Sequence, residues 1–260
     1  GRKCRKKIQL RGVCESLRPS QSRGGFAGLK GADMAEEMTT REKIEELSGK
    51  ITASRFAKMA RAAENRTRYL TVVLEDIFQP HNAAAVLRNC DAFGLQEVHF
   101  IENKFRLRIS DNVDTGVSKW QDVFRHTSPF ARIQKNGMPK DHTVSPEEEA
   151  NTRRALAEVK SRGYALAASV VGAEGCIDDI PLDRPLALMI GTELTGLTAA
   201  AREMADYTFS AEMLGFAQSF NLSVFSALCL SNLSARLRKT DKWKMSQAER
   251  DELLLRWLEL

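Results

Sequence analysis

Hydrophobic positions along the chain change their spacing near residue 68. Upstream, apolar residues recur every three or four positions, at Ile44, Leu47 and Ile51, as they do on one face of an α-helix. Downstream, short apolar runs such as 69–74 alternate with segments of helical spacing. Strands that alternate with helices are typical of a mostly parallel sheet covered by helices on both faces. The pattern therefore predicts an α/β fold.

The α/β region is predicted to contain five strands and four helices. The strands are expected at 69–74, 97–101, 164–171, 185–190 and 206–210. The helices are expected at 82–92, with Asn82 as a candidate cap, and at 146–161, 197–204 and 221–237. The long polar stretch 103–146 contains several prolines and glycines, so loops are predicted to dominate it.

Helices are also predicted outside the α/β region, at both ends of the chain. Thr39 with Glu42, and Ser246 with Glu249, each form a sequence pattern for a capping box at a helix start. We therefore predict four parts: a basic flexible tail at 1–38, a helical extension at 39–67, the α/β domain at 68–237, and a C-terminal helix within 238–260. The sequence leaves open whether residues 1–38 are native.

Composition is that of an ordinary globular protein, with 43% apolar and 28% charged residues among 260. The net charge of +5 is concentrated in the tail, because residues 1–33 carry nine basic and two acidic side chains. The remainder holds 30 basic and 32 acidic side chains, so any nucleic-acid site there must be a local patch. A second helix is predicted at about 52–64, and its row of cations is either such a patch or a solvated face. Arg55, Lys58 and Arg61 lie three positions apart on it, and Arg66 and Arg68 follow it.

Several classes of protein are disfavoured by composition. The five cysteines are scattered without a CxxC pair, which indicates reduced thiols in a cytoplasmic protein and argues against a disulfide scaffold. The four histidines lack metal-ligand spacing, so no metal site is expected. No apolar run approaches the ~18 residues that a membrane helix needs, so no membrane association is expected.

Candidate chemistry lies at the carboxyl ends of the predicted strands, where parallel α/β folds bind ligands. Three polar segments occupy such positions, at 80–88, 191–197 and 213–221. Each alone has a structural explanation: a helix N-cap for Ser219 or Asn221, an ion pair for Arg88. The sequence has neither a phosphate-cradling P-loop nor a G-x-S-x-G elbow.

Taken together and in this order, the three segments resemble the signature of the SpoU–TrmH family of RNA ribose 2'-O-methyltransferases, in the SPOUT superfamily. The matching residues are Asn82 and Arg88 with Asp91-Ala92-Phe93-Gly94, then Gly191-Thr192-Glu193 with Gly196-Leu197, then Met213-Leu214-Gly215 with Ser219-Phe220-Asn221. Ser118-Lys119-Trp120 resembles a further short family segment. Two positions depart from the pattern: Glu212 replaces a common proline, and Phe220 replaces a common leucine.

The resemblance implies a C-terminal trefoil knot in which S-adenosylmethionine (SAM) binds, held largely by backbone groups. It also implies a homodimer with the active site at the subunit interface. The positions that would hold the cofactor are Ser169, Val170, Gly191, Thr208, Ser210, Met213, Leu214, Ala217 and Leu222.

The resemblance assigns activation of the ribose hydroxyl to Arg88. A guanidinium is a poor general base because its pKa exceeds about 12. We therefore hypothesise that Arg88 binds an RNA phosphate and polarises the hydroxyl. The side chains that would hold Arg88 and the ribose are Asn82, Glu193, Ser219 and Asn221.

The extensions at both ends resemble the branch of the family that methylates a guanosine ribose in the tRNA D-loop. On this reading Arg55, Lys58, Arg61, Arg66 and Lys119 contact tRNA. Three alternatives remain at this point: an rRNA 2'-O-methyltransferase of the same fold, a non-catalytic RNA-binding or SAM-sensing module, and a nucleotide-dependent enzyme of doubly wound fold.

Overall fold

The computed structural model describes residues 38–107, 116–133, 143–192 and 194–260. The predicted tail at 1–38 lies outside these ranges except for Met38. The described strands are β1 (Leu70–Glu75), β2 (Glu97–Glu102), β3 (Phe105–Arg106), β4 (Asp122–Thr127), β5 (Arg132–Ile133), β6 (Ala165–Ser169), β7 (Leu186–Ile190) and β8 (Tyr207–Phe209). The described α-helices are α1 (Thr40–Ser48), α2 (Ala53–Glu64), α3 (Pro80–Ala92), α4 (Pro146–Ser161), α5 (Ala199–Met204), α6 (Leu222–Leu237) and α7 (Gln247–Leu258).

Six strands form one sheet in the order β4-β2-β1-β7-β6-β8, and every neighbouring pair is parallel. The short strands β3 and β5 pair separately, also in parallel. All residues of β1, β2 and β7 are buried, as expected for strands covered on both faces. The predicted α/β fold with a mostly parallel sheet is confirmed, and the five predicted strands lie within two residues of their expected bounds.

Alternating side chains of β1 enter two separate cores. Val72 and Leu74 belong to a cluster that includes residues of α3 and α6. Val73, which points to the other face of the strand, belongs to a cluster with residues of α4 and α5. The sheet is therefore enclosed by two helices on each side, and its carboxyl edge is left as the place where loops meet.

The sequence analysis misses one strand and misplaces one helix cap. The missed strand is β4, which lies in the stretch 103–146 and pairs with β2 at the edge of the sheet. The strand has many polar side chains, so its sequence does not show the apolar pattern of a buried strand. In the folded chain, Arg125 of this strand forms an ion pair with Glu102 at 2.5 Å. Asn82 does not cap α3, since the helix begins at Pro80, whose fixed φ suits a first helical position.

The helices outside the sheet region pack against one another. Both capping boxes predicted from sequence are present, at the starts of α1 and α7. Met59 and Ala63 of α2 form a small core with Leu253, Leu254 and Trp257 of α7. The two ends of the described chain therefore share one apolar cluster.

A pair of stacked histidines joins β2 to β4 under α4. His99 is fully buried, and its Nδ1 lies 3.1 Å from Nε2 of His126. Burial lowers the pKa of His99 to about 3, with smaller contributions from the charges of His126 and Arg162. Burial also lowers the pKa of His126, although nearby Glu158 opposes this. Both rings are therefore neutral in the folded protein at neutral pH.

The histidine pair should make stability fall in acid. Below a pH of about 6.5, the pKa of a histidine in the unfolded chain, both histidines are protonated in the unfolded chain but stay neutral in the folded one. The free energy of unfolding therefore falls by up to about 1.4 kcal/mol per pH unit for each histidine. For His99 this loss continues towards pH 3. We expect His99→Gln to reduce the slope between pH 6.5 and pH 5, measured by urea unfolding. The exposed His81→Gln variant should keep the wild-type slope. Equal slopes in all three proteins would contradict the prediction.

Candidate functional site

The three polar segments come together at the carboxyl edge of the sheet. Nδ2 of Asn221 donates a hydrogen bond to Oδ1 of Asn82 at 3.3 Å, which joins the third segment to the first. Gly191 and Ser219 line one cavity, which joins the third segment to the second. Residues up to 139 positions apart in sequence therefore form one site.

The two asparagines are held by the starts of two helices. Asn82 is buried in the first turn of α3, and its Nδ2 lies 3.3 Å from Oε1 of Gln79. Asn221 caps α6, because its Oδ1 accepts from the backbone N of Ser223 at 3.0 Å and of Val224 at 3.3 Å. The capping oxygen and the bridging amide are different atoms, so Asn221 has a structural role and faces the site as well.

Arg88 stands apart from this cluster within the single chain. It is exposed on α3, and it forms no hydrogen bond or ion pair with any residue that the structure describes. Six helical positions after Asn82 correspond to roughly 9 Å along the axis and a different face. The expected contact of Arg88 with Asn82, Ser219 or Asn221 is therefore not made among the described residues, and Glu193 lies outside them.

A cavity of about 350 Å³ opens beside the asparagines, between the ends of β6, β7 and β8. This volume is within the usual range of small-molecule sites. Six of the nine positions expected to hold a cofactor line it: Ser169, Val170, Gly191, Ser210, Met213 and Leu222. Thr208, Leu214 and Ala217 do not line it, and Leu214 is exposed on the loop before α6.

Gly191 permits the close backbone approach that closes this cavity. A Cβ placed on Gly191 would lie 2.2 Å from the carbonyl carbon of Gly196. The loop folds back there, since the backbone N of Gly196 donates to the carbonyl of Thr192 at 3.0 Å. Only glycine therefore fits at position 191.

The lining of the cavity suits a ligand with both apolar and polar parts. Leu197, Phe209 and Phe225 supply apolar surface, while backbone groups of the 191–197 loop and the side chains of Gln218 and Arg202 supply polar groups. SAM combines an adenosine with a charged amino acid, so this lining fits it. No group of three or more metal-ligating side chains occurs in the described ranges.

Sequence reasoning missed a buried carboxylate behind the cavity. Glu75 ends β1 and is only 1% exposed, and Asp76 follows with a positive φ of 53°. Burial raises the pKa of both carboxyl groups, to about 6 for Asp76, although hydrogen bonds oppose the rise. Two acidic residues directly after an apolar strand were the signal that could have found them.

The predicted RNA contacts divide into exposed and buried residues. Arg55, Lys58 and Arg61 are exposed on α2, and Lys119 is exposed near β4. Arg66 is 4% exposed and pairs with Asp91 at 2.5 Å, so the prediction that it contacts RNA is wrong. The side chain is enclosed because it also lies over the ring of Trp257. No described helix is long and apolar enough to cross a membrane.

Comparisons with known proteins point to one family. Residues 125–231 match the family model described as the SpoU rRNA Methylase family. A tRNA (guanosine(18)-2'-O)-methyltransferase of Borreliella burgdorferi is 32% identical over 218 residues, covering 83% of this chain and 89% of that protein. A 23S rRNA (guanosine-2'-O-)-methyltransferase of Nitrosomonas europaea is 30% identical over 177 residues, covering 68% and 60%.

Solved structures of the same family share the fold. The Aquifex aeolicus TrmH/SpoU tRNA modifying enzyme superimposes with a TM-score of 0.63 at 23% identity, covering 79% of this chain and 95% of that one. The methyltransferase AviRb of Streptomyces viridochromogenes, solved with AdoMet, gives 0.50 at 22% identity, covering 67% and 60%. The recognition made from the three motifs is confirmed.

Gly191→Ala should destabilise the protein. The added methyl group collides with backbone, and overpacking of this kind costs about 1–3 kcal/mol. In a chain of this size we therefore expect the melting temperature to fall by about 2–12 °C, measured by calorimetry. Gly215→Ala is the control, because a Cβ there meets nothing within 4 Å. Equal melting temperatures for the two variants would contradict the close backbone approach at Gly191.

Proposed function

The chain belongs to the SpoU–TrmH family of RNA methyltransferases, and from this premise we propose that it methylates the 2'-hydroxyl of a guanosine ribose in the tRNA D-loop, with SAM as methyl donor. The observation that carries the proposal is the joining of Asn82, Asn221 and the cavity at Gly191 at one edge of the sheet. The tRNA methyltransferase of Borreliella burgdorferi, similar over 89% of its length, supports the same substrate.

The cavity would hold SAM through backbone groups of the loop at Gly191 and of the segment at Ser210 and Met213. When bound, SAM supplies an electrophilic methyl group on its sulfonium. What the chain must add is alignment of the ribose oxygen with that methyl group, which can contribute several kcal/mol, and help with removal of the proton. Asn82, Asn221 and Ser219, together with Glu193, are the groups that would orient the ribose.

We assign to Arg88 the binding of an RNA phosphate and the polarisation of the hydroxyl. Its planar guanidinium presents two parallel N–H donors in a fixed fork, a geometry that the compact, rotating ammonium group of lysine does not reproduce. Because Arg88 is exposed and makes no hydrogen bond with Asn82, Ser219 or Asn221 of its own chain, its partner groups would come from RNA and a second protomer.

Arg88→Lys should lower kcat by about 100-fold, since loss of one oriented donor at a developing charge has an effect of that order. The melting temperature should not change, because the side chain is exposed and forms no hydrogen bond or ion pair with a described residue. Methyl incorporation from labelled SAM into a tRNA transcript measures the rate. Arg153→Lys, on the exposed side of α4, should keep wild-type kcat. An Arg88→Lys enzyme with near-normal kcat would contradict the assignment.

The rRNA alternative is supported by the Nitrosomonas europaea relative, but the similarity covers only 60% of that protein. The exposed cations Arg55, Lys58 and Arg61 of α2 would contact the tRNA backbone, with Lys119. Methyl incorporation into tRNA and 23S rRNA transcripts, followed by mapping of the modified nucleotide, distinguishes the two. Modification of rRNA alone would overturn the tRNA proposal, and absence of transfer to both would favour a binding module.

The proposal includes a trefoil knot formed by the segment between β8 and α6. Its support is that this segment passes tightly against the loop before β7. The backbone N of Ser210 donates to the carbonyl of Gly175 at 3.0 Å, and a Cβ on Gly175 would lie 2.2 Å from the carbonyl oxygen of Thr208. The chain then returns to the centre of the fold, where α6 packs against α3.

The proposal also includes a homodimer whose interface carries the site. Its support is the apolar surface beside the cavity, which a single chain leaves open to water. Val224 and Leu228, one turn apart on α6, are 49% and 52% exposed. Leu214, Phe216 and Phe220 extend this surface to the cavity and are also exposed. A second copy would cover the surface and bring its Arg88 to the cavity.

Val224→Glu should yield a monomer with reduced methyl transfer, because it places a charge in the proposed interface. A glutamate suits the first turn of a helix, so folding should be retained. Sedimentation velocity measures the mass. Val144→Glu is the matched control, because Val144 is 40% exposed at the start of α4, and it should remain dimeric. A dimeric Val224→Glu protein would contradict the interface.

A further inference from the structure

The carboxylate of Glu75 is surrounded by three hydrogen-bond donors. Its Oε1 accepts from the hydroxyls of Thr152 at 2.6 Å and Thr198 at 2.8 Å, and its Oε2 accepts from the backbone N of Thr198 at 2.8 Å. Both hydroxyl oxygens already accept elsewhere: Thr152 from Nδ2 of Asn103 at 2.9 Å, and Thr198 from the backbone N of Ala201 at 3.2 Å. The hydroxyl hydrogens are therefore free to point at Glu75, and the site matches an ionised carboxylate.

Two of the three donors belong to Thr198, at the end of the loop that lines the candidate cofactor cavity. Thr198 directly follows Leu197, the last lining residue of the 191–197 loop. It also caps α5, the helix that carries Arg202 to the same cavity. The loop is held by β7 at Gly191, and its far end is tied to β1 through Glu75.

Burial of a carboxylate at this strand position is costly, because the charge leaves water and desolvation raises its pKa. The rest of β1 is apolar apart from Thr71, and an apolar residue at position 75 would suit the core between α4 and α5. The carboxylate ties the end of the 191–197 loop through two hydrogen bonds from Thr198, and it ties α4 through one hydrogen bond from Thr152.

We propose that Glu75 is a positioning residue for the cofactor pocket, holding the end of the 191–197 loop in the conformation that receives SAM. This inference rests on the proposed function, because it assigns the cavity to SAM. Glu75 does not line the cavity, and it acts through Thr198.

Asp76 supplies a matched control one residue away. It is a half-buried carboxylate directly after β1, and it accepts from the backbone N of Asn103, Lys104 and Phe105. Asn103 and Lys104 lie between β2 and β3, and Phe105 begins β3, so none of these donors belongs to the cavity. Neutralising Asp76 should therefore disturb the fold without disturbing the cofactor loop.

The test compares Glu75→Gln with Asp76→Asn in the full chain. In Glu75→Gln, either the amide nitrogen faces the backbone N–H of Thr198, or it faces the two hydroxyls whose hydrogens then lose their acceptor. We expect the Kd for SAM, measured by isothermal titration calorimetry, to rise about tenfold, as loss of one hydrogen bond to a buried charge gives. Asp76→Asn should change this Kd by less than about twofold, although its melting temperature should fall about as much as that of Glu75→Gln.

Two further variants test the same contact if Glu75→Gln does not fold. Thr198→Val removes the hydroxyl with little change in shape, and it should weaken SAM binding. Thr198→Ser keeps both the cap and the bond to Glu75, and it should bind SAM as the wild type does. Equal SAM affinity in Thr198→Val and Thr198→Ser would overturn the proposal.

The outcomes separate this inference from the proposed function. If the wild type binds SAM and Glu75→Gln binds it equally well, or if Asp76→Asn weakens binding to the same extent, the positioning role is overturned alone. If the wild type binds no SAM, the proposed function is overturned, and the positioning role with it.

Discussion

The packing of α6 against α3 is the contact on which the candidate site depends. Nδ2 of Asn89 donates to the carbonyl of Ser223 at 2.8 Å and lies 3.0 Å from Oγ of Ser226. This side chain holds the first turns of α6 against the last turns of α3. The bridge from Asn221 to Asn82 forms only because the two helices meet in this register. Two helix starts that are far apart in sequence thus become one polar cluster.

Buried carboxylates organise the sheet at both of its ends. At the amino end, Glu97 of β2 is 2% exposed and pairs with Arg68 and, at 2.6 Å, with Arg162. Arg68 also pairs with Asp122 of β4 at 2.8 Å. At the carboxyl end, Glu102 of β2 pairs with Arg125, whereas Glu75 of β1 accepts hydrogen bonds from neutral donors only. A buried carboxylate is stable only beside hydrogen-bond donors or cations, so each one specifies which elements pack beside it.

These contacts also explain why basic residues are a weak guide to RNA binding in this chain. Arg66, Arg68 and Arg162 are each tied to an acidic partner, and Arg66 is buried as well. Arg55 and Lys58 carry the same charge at exposed positions of α2. Spacing along a helix could not separate the two groups, because the acidic partners of the first group are more than 20 positions away in sequence.

The sequence alone determined what depends on neighbours along the chain. Local pattern alone predicts the capping boxes at Thr39 and Ser246, the strand at 69–74, the helix at 146–161 and the order of the three motifs. Only the tertiary structure decided the rest: that β4 joins the sheet, that Arg66 is buried, and that Glu75 meets Thr198. The reason is physical, since polar side chains are stabilised by whichever donors and charges folding brings to them, and these lie far away in sequence.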